Sequence, residues 1–358
     1  MPKIALVQFC PTSPSTPLTL IADEASESAH AANLAKAHAF VRQAKDQGAE
    51  LVCFPEYFIS GVVADERHWN LSQYPHSHHH LHDDHPDVES SPASTTTHWL
   101  STFQHLARDV EIDIAVGTIV EREVDPKTGR ERTVRVRVGD DGDESEEERM
   151  VLRNVAYYVD ATGAVVGRYV KKNLWWPERD YLTAGGPDEE RQHVFETRFG
   201  KTSFLICWDL AHGESFVPLL EQQVDLIICP TYWTGSDGGD ESKRWDRDSE
   251  QKWLESLIVS RAFENECAIV FVNVGSPAGQ DEHDHDRVNP EERIGCSAVC
   301  LPFRGKIGGT KSAEEEMVVV DTDLSVLKDA RSVYGMRRGL VERKAARGEQ
   351  QQQQKGPE

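Results

Sequence analysis

Residues Gly200–Asp209 read Gly-Lys-Thr-Ser-Phe-Leu-Ile-Cys-Trp-Asp. The apolar run has the length of a strand and delivers Cys207 at its carboxyl end, where the polar stretch Asp209–Ser215 begins. In α/β sheets, ligands bind at that end of the strands. A thiol on a strand-to-helix turn is exposed, and the N–H of the next residue, Trp208, can face a developing oxyanion. A buried structural cysteine would look the same, so this fragment leaves the role of Cys207 open.

The pattern recurs along the chain. Apolar runs of strand length, rich in Val, Ile and Leu, lie at Ile4–Phe9, Glu50–Phe54, Ile112–Val120, Val151–Val159, Thr202–Cys207, Val224–Cys229, Ala268–Val274, Ser297–Leu301 and Met317–Val320. Such runs suit strands buried on both faces. Helical spacing appears between several of them. Ala31–Gln47 places Leu34, Ala37, Val41 and Ala44 on one side before Gly48, and Trp253–Glu266 repeats the spacing through Leu254, Leu257, Ile258 and Phe263. Strands alternating with helices predict an α/β fold.

Three segments break the alternation. Residues 64–97 are rich in His, Ser, Pro and Asp, residues 123–148 are charged and end in the acidic run Gly139–Glu148, and residues 343–358 carry a Gln run. The expectation is one domain over residues 1–342 with two solvated surface inserts, followed by a disordered tail. The net charge of −22 argues against nucleic acid as a general partner, because phosphate binding needs clustered Lys and Arg. The seven cysteines are odd in number and lack a C-x-x-C pair, which suits free thiols in a reducing compartment. The chain enters Lys3–Phe9 without an apolar signal segment, and no stretch approaches the roughly 18 apolar residues of a membrane span. A soluble, cytoplasmic protein is expected.

Two further fragments carry reactive side chains. In Leu51-Val-Cys-Phe-Pro-Glu-Tyr57, Glu56 follows a proline that cannot continue a ladder. In an apolar cleft such a carboxylate would rise into the general-base range; a helix cap or an ion-pair partner are the plainer readings. In Gly167-Arg-Tyr-Val-Lys-Lys-Asn-Leu174 two lysines follow the turn at Asp160–Gly163. On their own they are an ordinary surface pair. Facing a thiol, a lysine would stabilise a thiolate and an oxyanion.

Taken in order, Pro-Glu at a strand end, Tyr-x-Lys after a glycine turn and Leu-Ile-Cys-x-Asp resemble the Glu-Lys-Cys set of the nitrilase superfamily. The likeness runs from Lys3 to about Tyr334. Gln8, Asn33, Asn154, Arg261–Asn265 and Gly295-Cys-Ser297 with Pro302 and Gly305 agree with it. The resemblance implies a four-layer α-β-β-α sandwich whose subunits pair through helices near the site, as a homodimer or higher homo-oligomer. It makes Glu56 the general base, Cys207 the nucleophile and Lys171, rather than Lys172, the oxyanion partner. Glu178, seven residues before Gly185, would hold the lysine and substrate in position. The aromatic residues Trp175, Trp176, Tyr232 and Trp233 are candidates for the pocket wall, or for core and interface.

The implied reaction is hydrolysis of a non-peptide C–N bond in a small amide or carbamoyl compound, through a Cys207 thioester and with no metal or organic cofactor. A nitrile is the alternative substrate: Cys207-Trp208 is similar to nitrilases, whereas Asp209 stands where they have Glu, closer to the amidase and carbamoylase branches. From another class comes metal binding by His76, His78, His79, His80, His82 and His85 with Asp83 and Asp84. Imidazole–carboxylate clusters bind zinc, copper or nickel, but this one lacks a fixed ligand spacing and sits in a predicted insert.

Overall fold

The computed structural model describes residues 1–12, 22–62, 99–125, 128, 130–138, 145–186, 194–277, 292–340 and 342–343. The first expected insert, including His76–His85, and the expected tail beyond residue 343 lie outside the described residues. So does the tip of the second insert.

Two six-stranded sheets form the centre. The first runs in the order β14 (Glu316–Asp321), β1 (Lys3–Gln8), β2 (Leu51–Cys53), β3 (Asp113–Arg122), β6 (Leu152–Val159), β7 (Val165–Val170). The second runs β13 (Gly305–Gly309), β12 (Ala298–Leu301), β11 (Ala268–Val272), β10 (Leu226–Pro230), β9 (Gly200–Phe204), β8 (Phe195–Thr197). The central strands β1, β2 and β3 are parallel, as are β9, β10 and β11, and the edges are antiparallel.

Strand side chains alternate between two faces, and this alternation builds the layers. In β1, Ile4 and Leu6 face the second sheet, where they join Phe204, Ile227 and Val270. Ala5 and Val7 face the other way, against Ala37, Val41 and Ala44 of the helix Ala22–Asp46 and Phe103 and Leu106 of the helix Trp99–Val110. Both faces of β1 are covered, which explains why the strand is apolar throughout. On the outer face of the second sheet lies the helix Ser249–Asn265, burying Leu254, Ile258 and Ala262. The layers are therefore helix, sheet, sheet, helix, as the resemblance implied.

Several expectations need correction. The first helix begins at Ala22, ahead of the predicted Ala31. The second insert is not a solvated loop throughout: β4 (Thr133–Val138) and β5 (Ser145–Met150) form an antiparallel hairpin within it. Its alternating Val-Arg-Val-Arg-Val pattern has the period of a strand, and the acidic composition masked that signal. The helix Trp99–Val110 and the edge strands β7, β8 and β13 also went unpredicted, because each is short or mixes polar with apolar residues.

Several marks named above prove to be stitches between elements. Gln8 Nε2 donates to Ser312 O and Glu314 O at 2.8 and 2.7 Å, and its Oε1 accepts from Thr310 Oγ1 at 2.7 Å. Asn33 binds the backbone of Thr12 and Ile59. Arg261 caps the carbonyls of Leu210 and Ala211, just after the Cys207 turn.

Candidate active site

Four strand ends converge on one edge of the sandwich: β2 leads to Glu56, β7 to Lys171, β9 to Cys207 and β10 to Tyr232. At the first, Gly117 in β3 makes room for the Pro55–Tyr57 turn. A Cβ at Gly117 would meet Pro55 O at 2.1 Å and Phe58 at 2.8 Å, a closeness only glycine permits. Next to it, Thr118 Oγ1 accepts the Tyr57 N–H at 3.0 Å, so β3 fixes the backbone that carries Glu56.

Lys171 follows β7 directly and points inward. Its Nζ is 2.8 Å from Glu56 Oε1 and 2.8 Å from Glu178, and the three side chains are almost wholly buried. Lys172 turns away and lies over the Tyr169 ring at 5.9 Å. Glu178 is the centre of a small network, accepting from Tyr57 Oη at 2.5 Å and from the Trp175 N–H at 2.8 Å. Glu56 also accepts from Asn154 Nδ2 at 2.8 Å and from the Tyr232 N–H at 3.0 Å. Among the described residues every group hydrogen-bonded to Glu56 is a donor, which by itself favours its ionised form.

Cys207 sits on a tight turn after β9 with φ +46°, in the left-handed region that non-glycine residues seldom adopt. It begins a short 3-10 helix, Cys207–Ala211. Asp209 holds this elbow in place. It accepts from Ile206 N (3.0 Å), Tyr169 Oη (2.8 Å), Asn173 N (2.7 Å) and Asn173 Nδ2 (2.9 Å). Through this buried carboxylate the Cys207 turn is tied to the segment that carries Lys171. The strained conformation at Cys207 persists because these contacts over-determine it.

Burial pushes the Glu56 carboxyl up to about 7, with Lys171 opposing the rise and Glu178 adding to it. Burial also pushes the Cys207 thiol well above its ordinary range; Glu56 adds to this and Lys171 opposes it. For Lys171, burial pulls downward, but the charges of Glu178, Glu56 and Cys207 outweigh it and hold the ammonium well above lysine's usual value.

These groups line a cavity of about 300 Å³ whose wall also includes Trp175, Trp208, Tyr232 and Trp233. Trp176 is the exception among the aromatic residues named from the sequence. It is 75% exposed, lies under the Arg179 guanidinium and does not line the cavity. The 3-10 turn Trp176–Asp180 directs Glu178 inward, which leaves its first residue facing solvent. Trp208 and Trp233 pack together with ring centroids 5.4 Å apart, and the Trp233 indole N–H donates to Glu250 Oε2 at 2.8 Å. Tyr57, Thr234, Ser236 and Asp237 also line the cavity, and none was singled out from the sequence as a site residue. Tyr57 adjoins Glu56 and could have been suspected; Asp237 lies in a glycine-rich loop that gives no periodic signal. Among the described residues no His, Cys, Asp and Glu group forms a metal-binding cluster.

A thiol, a carboxylate and a buried ammonium at the strand ends of a four-layer sandwich define a class, and the comparisons with known proteins agree with it. The carbon-nitrogen hydrolase model matches residues 3–332, so the chain belongs to the carbon-nitrogen hydrolase family. It is 28% identical over 195 residues to a Schizosaccharomyces pombe protein named "probable nitrilase", covering 54% of this chain and 61% of that one. Over 193 residues it is 25% identical to N-carbamoylputrescine amidase of Arabidopsis thaliana, covering 51% and 60%. The matches thus span about three fifths of each of these two relatives. Among solved structures, a Saccharomyces cerevisiae member of branch 10 of the nitrilase superfamily superposes with a TM-score of 0.62 at 20% identity, covering 93% of this chain and 94% of the other. No helix among the described residues is long and apolar enough to cross a membrane.

Proposed function

We propose that this protein hydrolyses a non-peptide C–N bond of a small amide or carbamoyl compound through a thioester on Cys207. The observation that carries this reading is Lys171, buried between Glu56 and Glu178 at the wall of the cavity that holds Cys207. Burying a charge without a partner is very unfavourable, and here the arrangement sets a general base and a fixed cation beside a nucleophile.

The roles follow from the chemistry. Because the Cys207 thiol is held above its ordinary range, it does not rest as a thiolate; Glu56 takes its proton as the sulfur attacks the carbonyl carbon. The oxyanion forms against Lys171, whose ammonium has three donors, and against the Trp208 N–H. That N–H lies in the first turn of a 3-10 helix, where donors have no partner within the helix. Glu56 then passes the proton to the departing nitrogen, releasing ammonia or an amine. It next deprotonates the water that cleaves the thioester to a carboxylic acid. Glu178 holds Lys171 in place. No cofactor enters these steps.

A nitrile could be attacked by the same machinery to give a thioimidate, and the similarity to a protein named as a nitrilase favours keeping this second reading. The reading also includes one domain extending to residue 342, a cytoplasmic setting and a homodimer. Seven free thiols support the setting, and the part-exposed Trp253, packed on the cavity residue Trp233, supports pairing. Ammonia release from a panel of amides, ureides and nitriles tests the proposal. Turnover confined to amides and ureides supports it, turnover confined to nitriles selects the second reading, and none with any compound removes both.

A further inference from the structure

The cavity is lined by three carboxylates, Glu56, Glu178 and Asp237, but by one cation, Lys171, among the described residues. Lys171 is already committed to Glu56 and Glu178. Arg293 is nearby, but its guanidinium is turned to Tyr232 Oη, Gly275 O and Cys10 Sγ, and it does not line the cavity. Among the described residues Asp237 makes no ion pair, and Lys171 acts on it only as a charge beyond hydrogen-bond contact. Its oxygens accept from the N–H and Oγ1 of Thr234 at 3.1 and 2.5 Å, both neutral donors. Burial pushes its pKa up to about 6, the Thr234 hydrogen bonds and Lys171 oppose the rise, and Glu250 adds to it.

A second, independent feature lies around it. Five aromatic rings, those of Tyr57, Trp175, Trp208, Tyr232 and Trp233, line the same cavity. Aromatic faces attract cations through their quadrupole, and most strongly where water is excluded. An aromatic wall in which carboxylates outnumber the one described cation disfavours an anion and favours a compact cation.

We propose that Asp237, together with this aromatic wall, selects a substrate that carries a protonated amine at the end remote from the scissile C–N bond. The inference rests on the hydrolase reading above and adds the substrate class. Asp237 is a specificity residue: it touches the amine, and it shares no hydrogen bond with Glu56, Lys171 or Cys207 among the described contacts.

The test uses primary amides of one chain length that end in an ammonium, a methyl or a carboxylate group. In the wild-type protein kcat/KM should fall in that order, with the ammonium compound ahead of the methyl compound by about tenfold or more, the scale of a hydrogen bond to a charged group. In Asp237→Asn that ratio should fall toward one. The asparagine oxygen can still accept from Thr234, so the loop keeps an anchor. An independent measurement avoids reliance on the variant: an unreactive alkylammonium should inhibit the wild-type protein more strongly than the alcohol of equal length. Turnover without preference for the ammonium compound, an unchanged ratio in Asp237→Asn, or equal inhibition by amine and alcohol would overturn the inference and leave the hydrolase reading standing. Failure of every amide and ureide with the wild-type protein would remove the hydrolase reading, and this inference with it.

Discussion

Lys171 Nζ lies 2.8 Å from Glu56 Oε1, and each side chain is about 1% exposed. A pair this deeply buried is costly to break, because the surviving charge has no solvent to turn to. Lys171→Ala would leave Glu56 and Glu178 facing each other without their cation.

The first expectation is therefore a loss of stability of about 3–5 kcal/mol in Lys171→Ala. Urea unfolding at neutral pH measures it. A shift within about 0.5 kcal/mol, the range of an ordinary surface substitution, would show that the ammonium is not held as described.

The second concerns pH. Glu56 must be ionised to act as base, and burial pushes its pKa up to about 7. The rate constant kcat/KM should rise as pH increases toward 7 and level off above it. Stability should move in the opposite sense. The folded-state pKa exceeds the ordinary 4.5, so the folded protein holds more protons between those values, and the contribution of Glu56 to stability declines as pH rises from about 4.5 through 7. Glu56→Gln should remove that part of the slope. A flat rate profile between pH 5 and 8 would contradict the assignment of the base.

Sequence and structure part company in instructive places. Cys207 and Glu56 were visible as candidates at the ends of apolar strands, because that position has a physical meaning in any α/β sheet, but their roles stayed open until the resemblance was added. Lys171 was not visible from its own surroundings. Two adjacent lysines look solvated, and only the resemblance, and then the fold, distinguishes the inward one. Trp176 was left open between pocket wall and core or interface, and the structure places it in neither wall nor core: a 3-10 turn directs Glu178 inward and leaves Trp176 in water. Asp237 reaches the cavity through a loop whose shape depends on tertiary contacts, which no local pattern encodes. The hairpin β4–β5 was hidden because its strand period lies within a run of charged residues.

A third prediction concerns Asp209. Its carboxylate gathers four hydrogen bonds from Ile206, Tyr169 and Asn173. In Asp209→Asn an amide nitrogen would face donors that need an acceptor, at a cost of about 1–3 kcal/mol for each buried group left unsatisfied. The elbow should shift, and since a displacement near 1 Å can cost about 10²-fold, kcat should fall on that scale. Wild-type kcat in a folded Asp209→Asn variant would show that Asp209 does not set the position of Cys207.

Gly117 supplies the fourth. A methyl group there would overlap Pro55 O at 2.1 Å, and overpacking typically costs about 1–3 kcal/mol. Gly117→Ala should lower stability and displace Glu56 together, so activity should fall in protein that is still folded. An unchanged melting temperature with full activity would refute the account of how β3 places the base.

The central claim is that the substrate carbon becomes bonded to Cys207, and mass measurement after rapid quenching of wild-type protein with an amide or ureide substrate tests it most directly. A Glu56→Gln variant should fail to turn over, because the base is missing from both half-reactions; Cys207→Ser should fail as well, since a hydroxyl is far less readily ionised than a thiol. The account predicts an intact mass raised by one acyl group and, after proteolysis, the adduct on the peptide containing Cys207 and on no other. An adduct on Cys229, Cys296 or another of the seven thiols, or substrate turnover at a near-normal rate by Cys207→Ser, would contradict it.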